Sequence, residues 1–90
     1  MPTLILATDR DGKLKGRCDG RCYNATWPRC LCICGGINHG VGLQNAAHNT
    51  QLLTREEMLK TEFALSHSVT DVKKAHDLAF LAHPRLFTTE

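Results

Sequence analysis

Cys18-Asp19-Gly20-Arg21-Cys22 and, after a gap of seven residues, Cys30-Leu31-Cys32-Ile33-Cys34-Gly35-Gly36-Ile37-Asn38-His39 carry all five cysteines of the chain. The pattern is C-x3-C-x7-C-x-C-x-C-G-G-x-x-H. So many thiols within seventeen residues exceed what packing alone calls for, and they point to a metal. Zinc takes four ligands in a tetrahedron and suits thiolate sulfur. Cys18 and Cys22 can grip an ion from one side, and the C-x-C-x-C run supplies the other. Alternate residues on a straight strand stand about 6.6 Å apart, too far for three sulfurs to share one zinc. The Cys30–Cys34 run must therefore bend, or one of its thiols is spare. Cys34, just ahead of Gly35-Gly36 where the backbone can fold around an ion, ranks with Cys18 and Cys22. Cys30 and Cys32 compete for the fourth place, with His39 behind them. An iron–sulfur cluster is the rival to zinc, because thiolates suit both.

Ninety residues make a single domain, 1–90, with a small core that needs a staple. Every cysteine lies in the first half, so the staple pins that half alone. The odd cysteine count argues against a closed disulfide framework. The apolar start, Met1–Thr8, is too short to span a membrane and lacks the marks of a secretion signal. A cytoplasmic protein with reduced thiols is expected. The formal net charge is only +2, but residues 1–40 are basic (Arg10, Lys13, Lys15, Arg17, Arg21 and Arg29 against three aspartates) and the remainder is slightly acidic. That asymmetry suits a nucleic acid or an acidic protein surface as partner.

Residues 1–40 read as a β-hairpin plus a metal-binding loop. Thr3–Ala7 is apolar, Asp9-Arg10-Asp11-Gly12 is a turn, and Lys13–Arg17 returns as the second strand. Asp19–Cys34 is expected to be irregular or short-stranded, with Tyr23 and Trp27 shielding the metal and anchoring the loop. Residues 41–84 read as helical. Leu43, Ala46 and Ala47 form a stripe on a short helix reaching about Gln51. Thr54 and Glu57 form a capping box ahead of a helix carrying Met58, Leu59, Phe63 and Leu65. Ser68-Val69-Thr70-Asp71 opens a third helix with Val72, Ala75, Ala79 and Ala82 on its face, stopped at His83-Pro84. The expected fold class is α+β: a small N-terminal hairpin and metal-clamped cysteine loop packed on two or three C-terminal helices.

The loop Cys34–Gly42 holds four glycines and leads into a helix. Bare amides at a helix N-terminus can bind anions, but the glycines serve equally to turn the chain tightly around a metal. Cys34 with His39 could form a thiol nucleophile and base only if Cys34 were free of metal.

Cys18-Asp19-Gly20-Arg21-Cys22-Tyr23-Asn24-Ala25, Cys30 through Gly42, and Asn49-Thr50 resemble a family of small, uncharacterised cysteine-rich proteins of bacterial phages, prophages and mobile elements. The resemblance spans about residues 17–50. It implies a cytosolic setting, a cysteine-rich metal site, and places for Tyr23, Asn24, Asn38 and His39 in the site's framework. It assigns no catalytic residues. Three functions follow as expectations: a zinc-stabilised module docking on a host protein or nucleic acid; an iron–sulfur redox or sensing protein; or a small enzyme using the Gly-rich loop and His39.

Overall fold

The computed structural model describes residues 2–27 and 32–75. Cys30, Arg29 and the part of the expected third helix beyond Ala75 lie outside the described residues. The element order is β1 (Ile5–Thr8), β2 (Leu14–Cys18), α1 (Gly20–Tyr23), α2 (Leu43–Leu52), α3 (Arg55–Leu59), α4 (Glu62–Ser66) and β3 (Asp71–Lys74). The class is α+β, with one antiparallel sheet in the order β2-β1-β3.

The hairpin forms where its turn chemistry places it. The Asp9 carboxylate accepts from the amides of Asp11 at 2.9 Å and Lys13 at 3.0 Å. Gly12 supplies the left-handed conformation at φ 79° that a side chain would resist. Register slips by one residue between Ala7 and Thr8, a bulge that leaves Lys15 unpaired on β2. Side chains alternate along β1: Ile5 and Ala7 are buried and Leu6 faces outward. Cys18 pairs with Ile5 and shares its inward face, so β2 ends by delivering a sulfur to the core.

β3 occupies the other edge of β1, pairing Val72 with Ala7 and Lys73 with Leu6. This overturns the expected third helix over residues 71–74. The free edge of β1 offers unpaired amides and carbonyls, and the β-branched Val72 fills the inward position opposite Ala7. Ser68, at φ 57°, turns the chain out of α4 toward that edge, and the Thr70 amide bonds the Thr8 carbonyl at 2.9 Å.

The helices form near their expected places, with one division. α2 buries Ala46, Ala47 and Thr50. The capping box of α3 is complete, with Thr54 Oγ1 accepting from the Glu57 amide and Glu57 Oε1 from the Thr54 amide. The expected single helix through Leu65 is two. Thr61 takes an extended conformation, donates its hydroxyl to the Met58 carbonyl at 2.8 Å and accepts from the Ala64 amide at 3.1 Å. One side chain thus closes α3 and caps α4. The core lies between the inner sheet face, the cysteine loop and the helices, with Tyr23, Leu4, Ile5, Ile33 and Met58 its largest fully buried members. Among the described residues no helix is long and apolar enough to cross a membrane.

Candidate metal centre

Two cysteines come from the end of β2 and the turn of helix that follows it. Asp19 caps α1, its Oδ1 accepting from the Arg21 amide at 3.0 Å. That cap makes Gly20–Tyr23 helical where an irregular or extended chain was expected; the Asp19 side chain was the overlooked signal. The chain turns at Asp19 from β2 into α1, and the helical turn brings Cys22 back beside Cys18.

The other two come from a bend. Cys32 Sγ and Cys34 Sγ lie 3.2 Å apart, half the separation of a straight strand. Gly35 at φ 67° and Gly36 at φ 100° allow the chain to fold back there. Backbone amides point at the sulfurs: Cys34 N–H reaches Cys32 Sγ at 3.3 Å and Gly36 N–H reaches Cys34 Sγ at 3.4 Å. Cys22 Sγ stands 3.6 Å from Cys34 Sγ. The sulfurs of Cys18, Cys22, Cys32 and Cys34 all lie within 4.8 Å of one another. Around one tetrahedral zinc with Zn–S of about 2.3 Å, sulfurs stand about 3.8 Å apart. The observed spacings bracket that edge, so the four residues fit a single ion.

Bare thiols in this arrangement share protons unequally. The S–H groups of Cys18, Cys22 and Cys32 donate toward Cys34 and hold it far below the usual thiol range, against the effect of burial. Cys32 is pushed far up by its thiol neighbours, Cys18 foremost, and by burial. Cys22 is also raised, chiefly by Cys18. Four thiolates can coexist here only around a cation.

Asn38 and Thr50 extend the site into α2. Thr50 Oγ1 donates its one proton to the Ala46 carbonyl at 2.8 Å, so toward Asn38 it can only accept. Asn38 Nδ2 therefore faces Thr50 at 2.9 Å and directs its second proton at Cys18 Sγ, 3.5 Å away. Asn38 thus offers an N–H donor to one sulfur of the group. Asn49 Nδ2 donates to the Ile37 carbonyl at 3.0 Å. Asn49 and Thr50 thus tie the Gly-rich loop to α2. Thr50 was missed as a framework residue, although a buried hydroxyl in the stripe of Leu43, Ala46 and Ala47 was its signal.

The glycine amides serve the clasp. Gly40 N–H bonds the Cys22 carbonyl at 2.9 Å and Gly42 N–H the Tyr23 carbonyl at 2.7 Å. Tyr23 is buried and donates its hydroxyl to the Pro2 carbonyl at 2.8 Å, anchoring the loop as expected. Burial, then the charges of Asp19 and Cys18, raises its pKa. Trp27 is 53 % exposed. His39 stands outside the four-sulfur group: its Nε2 meets the Trp27 carbonyl and its ring sits edge-on to the Trp27 indole at 5.9 Å. Comparison with models of protein families, with curated proteins and with solved structures finds no match to this chain.

Proposed function

We propose that this protein is a zinc-stabilised binding module, an accessory protein of a phage or mobile element that docks on a host protein or nucleic acid in the reducing cytoplasm. The mutual approach of four cysteine sulfurs within 4.8 Å carries the metal part of this reading. In a multi-iron cluster the ligand sulfurs are shared among several irons and must stand further apart, so the spacing supports one ion. A closed set of four cysteines with no open position is the structural kind of zinc site.

The binding part rests on the outer sheet face and on the resemblance. Leu6, 39 % exposed, lies between Arg17 and Lys73, its cross-strand partners. Leu14, also exposed, extends the patch. Lys15 pairs with Asp9 at 3.6 Å, while Arg17 and Arg21 each lie 3.8 Å from Asp19. Such surface pairs are worth about 0–1 kcal/mol and yield readily to a polyanion. The small-enzyme reading depended on bare loop amides and His39. Gly40 and Gly42 instead donate to α1 carbonyls, and His39 bonds Trp27.

Elemental analysis of anaerobically purified protein, with its absorption spectrum, tests the metal. Colourless protein with one zinc per chain is expected; bound iron with visible absorption overturns it. For the partner, retention on nucleic acid at low salt should fall when Arg17, Arg21 and Arg29 are replaced by Ala. Unchanged retention, or none at the outset, sinks the nucleic-acid version and leaves a protein partner.

A further inference from the structure

Cys32 differs from its three neighbours. Cys18, Cys22 and Cys34 are buried, whereas Cys32 is only half-buried. Its side of the centre opens onto a cavity of about 490 Å³. Gly35 lines the near wall, and Glu57, Thr61, Phe63 and Ser66 of α3, α4 and the turn between them line the far one. A small molecule in this cavity meets one sulfur of the four. Behind it, Cys34 Sγ lies at 3.2 Å, within reach of Cys32.

We infer that Cys32 is the oxidisable edge of the metal centre: hydrogen peroxide entering this cavity oxidises it, Cys34 closes a disulfide onto it, and the ion is released. The inference rests on the metal-centre reading above. The Cys32 thiolate attacks one peroxide oxygen, an S–O bond forms as the O–O bond breaks, and hydroxide leaves. Sulfur is oxidised by two electrons and peroxide is reduced by two. The resulting sulfenic acid is then attacked by the Cys34 thiolate. The S–S bond forms, the S–O bond breaks, and a second hydroxide leaves. Two thiolates and one peroxide yield one disulfide and two hydroxides. The ion loses two of its four ligands and departs as a divalent cation. Exposure selects Cys32, since oxidation follows thiolate character and access together. Cys34, two residues on in the chain with its sulfur at 3.2 Å, is in reach to close the disulfide.

The test uses the full chain, after elemental analysis has established one metal per chain. Hydrogen peroxide is added in the absence of other oxidants, released metal is followed with a chromogenic chelator, and the disulfide is located by peptide mapping. One metal released per peroxide consumed, with Cys32 joined to Cys34, is expected. Ser66→Phe, which narrows the cavity from the far wall, should keep its metal and release it severalfold more slowly. A first-formed disulfide that includes Cys18, Cys22 or Cys30, release without a disulfide, or Ser66→Phe reacting at the parent rate overturns the inference. A chain that carries no metal before peroxide is added defeats the metal-centre reading itself, so the two failures are told apart.

Discussion

The stretch from Cys18 to Gly42 and the stretch from Thr54 to Lys74 are both poor in long regular elements, yet different forces hold them. Among its described residues the first has one four-residue helix, and glycines at positive φ at 35, 36, 40 and 42. Its bonds reach across the chain: Asn38 to Thr50, Gly40 to Cys22, Gly42 to Tyr23. In the second, each helix carries its own local start. Thr54 and Glu57 cap α3, and Thr61 caps α4. Its buried side chains, Met58, Ala64, Val69 and Val72, are ordinary core residues. The local bonds of the first stretch are single turns, such as Gly35 N–H to the Cys32 carbonyl at 3.1 Å, too short to persist without its long-range ties. The first stretch therefore depends on whatever gathers its sulfurs, and the second on caps and on its docking to the sheet.

Removing the metal tests that contrast at its largest. A core of this size supplies about 3–5 kcal/mol, whereas structural zinc in small domains contributes about 10–16 kcal/mol of binding. Chelation, or Cys22→Ala, is expected to abolish the cooperative thermal transition seen by circular dichroism. A metal-free chain that melts at the parent temperature would show that the long-range bonds suffice alone.

Two substitutions of intermediate effect probe the joints. Asn38→Ala leaves Thr50 Oγ1 and Cys18 Sγ without their shared donor. A loss of about 1–3 kcal/mol in denaturant melts is expected, with metal affinity about 10- to 100-fold weaker in chelator competition, as for other residues that orient a ligand. Gly16 lies on the inner sheet face, where a Cβ would run into the Phe63 ring. Gly16→Ala should cost about 1–3 kcal/mol through overpacking and leave metal affinity as it was. Equal effects of both on affinity would erase the distinction between the regions.

The same division explains what could be read without coordinates. The hairpin, the capping box and the glycine turn were legible because each has a local cause: Asp9 with Gly12, Thr54 with Glu57, Gly35 with Gly36. β3 was not, because Val72 and Ala75 fit a helical period and only the open edge of β1 makes Asp71–Lys74 a strand. The division at Thr61 hid inside a continuous apolar period, since its hydroxyl, not a Gly or Pro, does the breaking. Spacing left Cys30, Cys32 and His39 in competition. The turn that Gly35 N–H closes on the Cys32 carbonyl at 3.1 Å brings Cys32 into the group, a distance no pattern of residues specifies.

Smaller effects should stay within the second stretch. Thr54→Ala removes the Oγ1 acceptor of the Glu57 amide and should cost about 1 kcal/mol of stability. Metal affinity should not change. A fall in affinity would mean that α3 and the sulfur group are coupled through the turn at Thr61.

The smallest expected effect is electrostatic. Arg55 Nε donates to Asp71 Oδ1 at 3.1 Å, and its Nη2 donates to the Thr70 carbonyl at 2.9 Å, so one guanidinium holds the head of β3 against α3. That bond, foremost, and the Val72 amide hold the Asp71 carboxyl below its ordinary value of 3.8. A carboxylate whose folded pKa lies below its unfolded one favours folding above the unfolded value and loses that contribution as pH falls through the folded value. Above the carboxylate range the contribution is complete and independent of pH. Carbon NMR of the Asp71 carboxyl, followed downward from neutral pH while the thiolate–metal absorption is still full, should therefore show protonation beginning later than in an unfolded aspartate. Arg55→Met should move the onset back up, with the metal absorption unaltered. An onset already at the unfolded position in the parent chain would mean that Arg55 and Asp71 do not hold β3. The docking of the second stretch would then rest on Val72 and the sheet bonds alone.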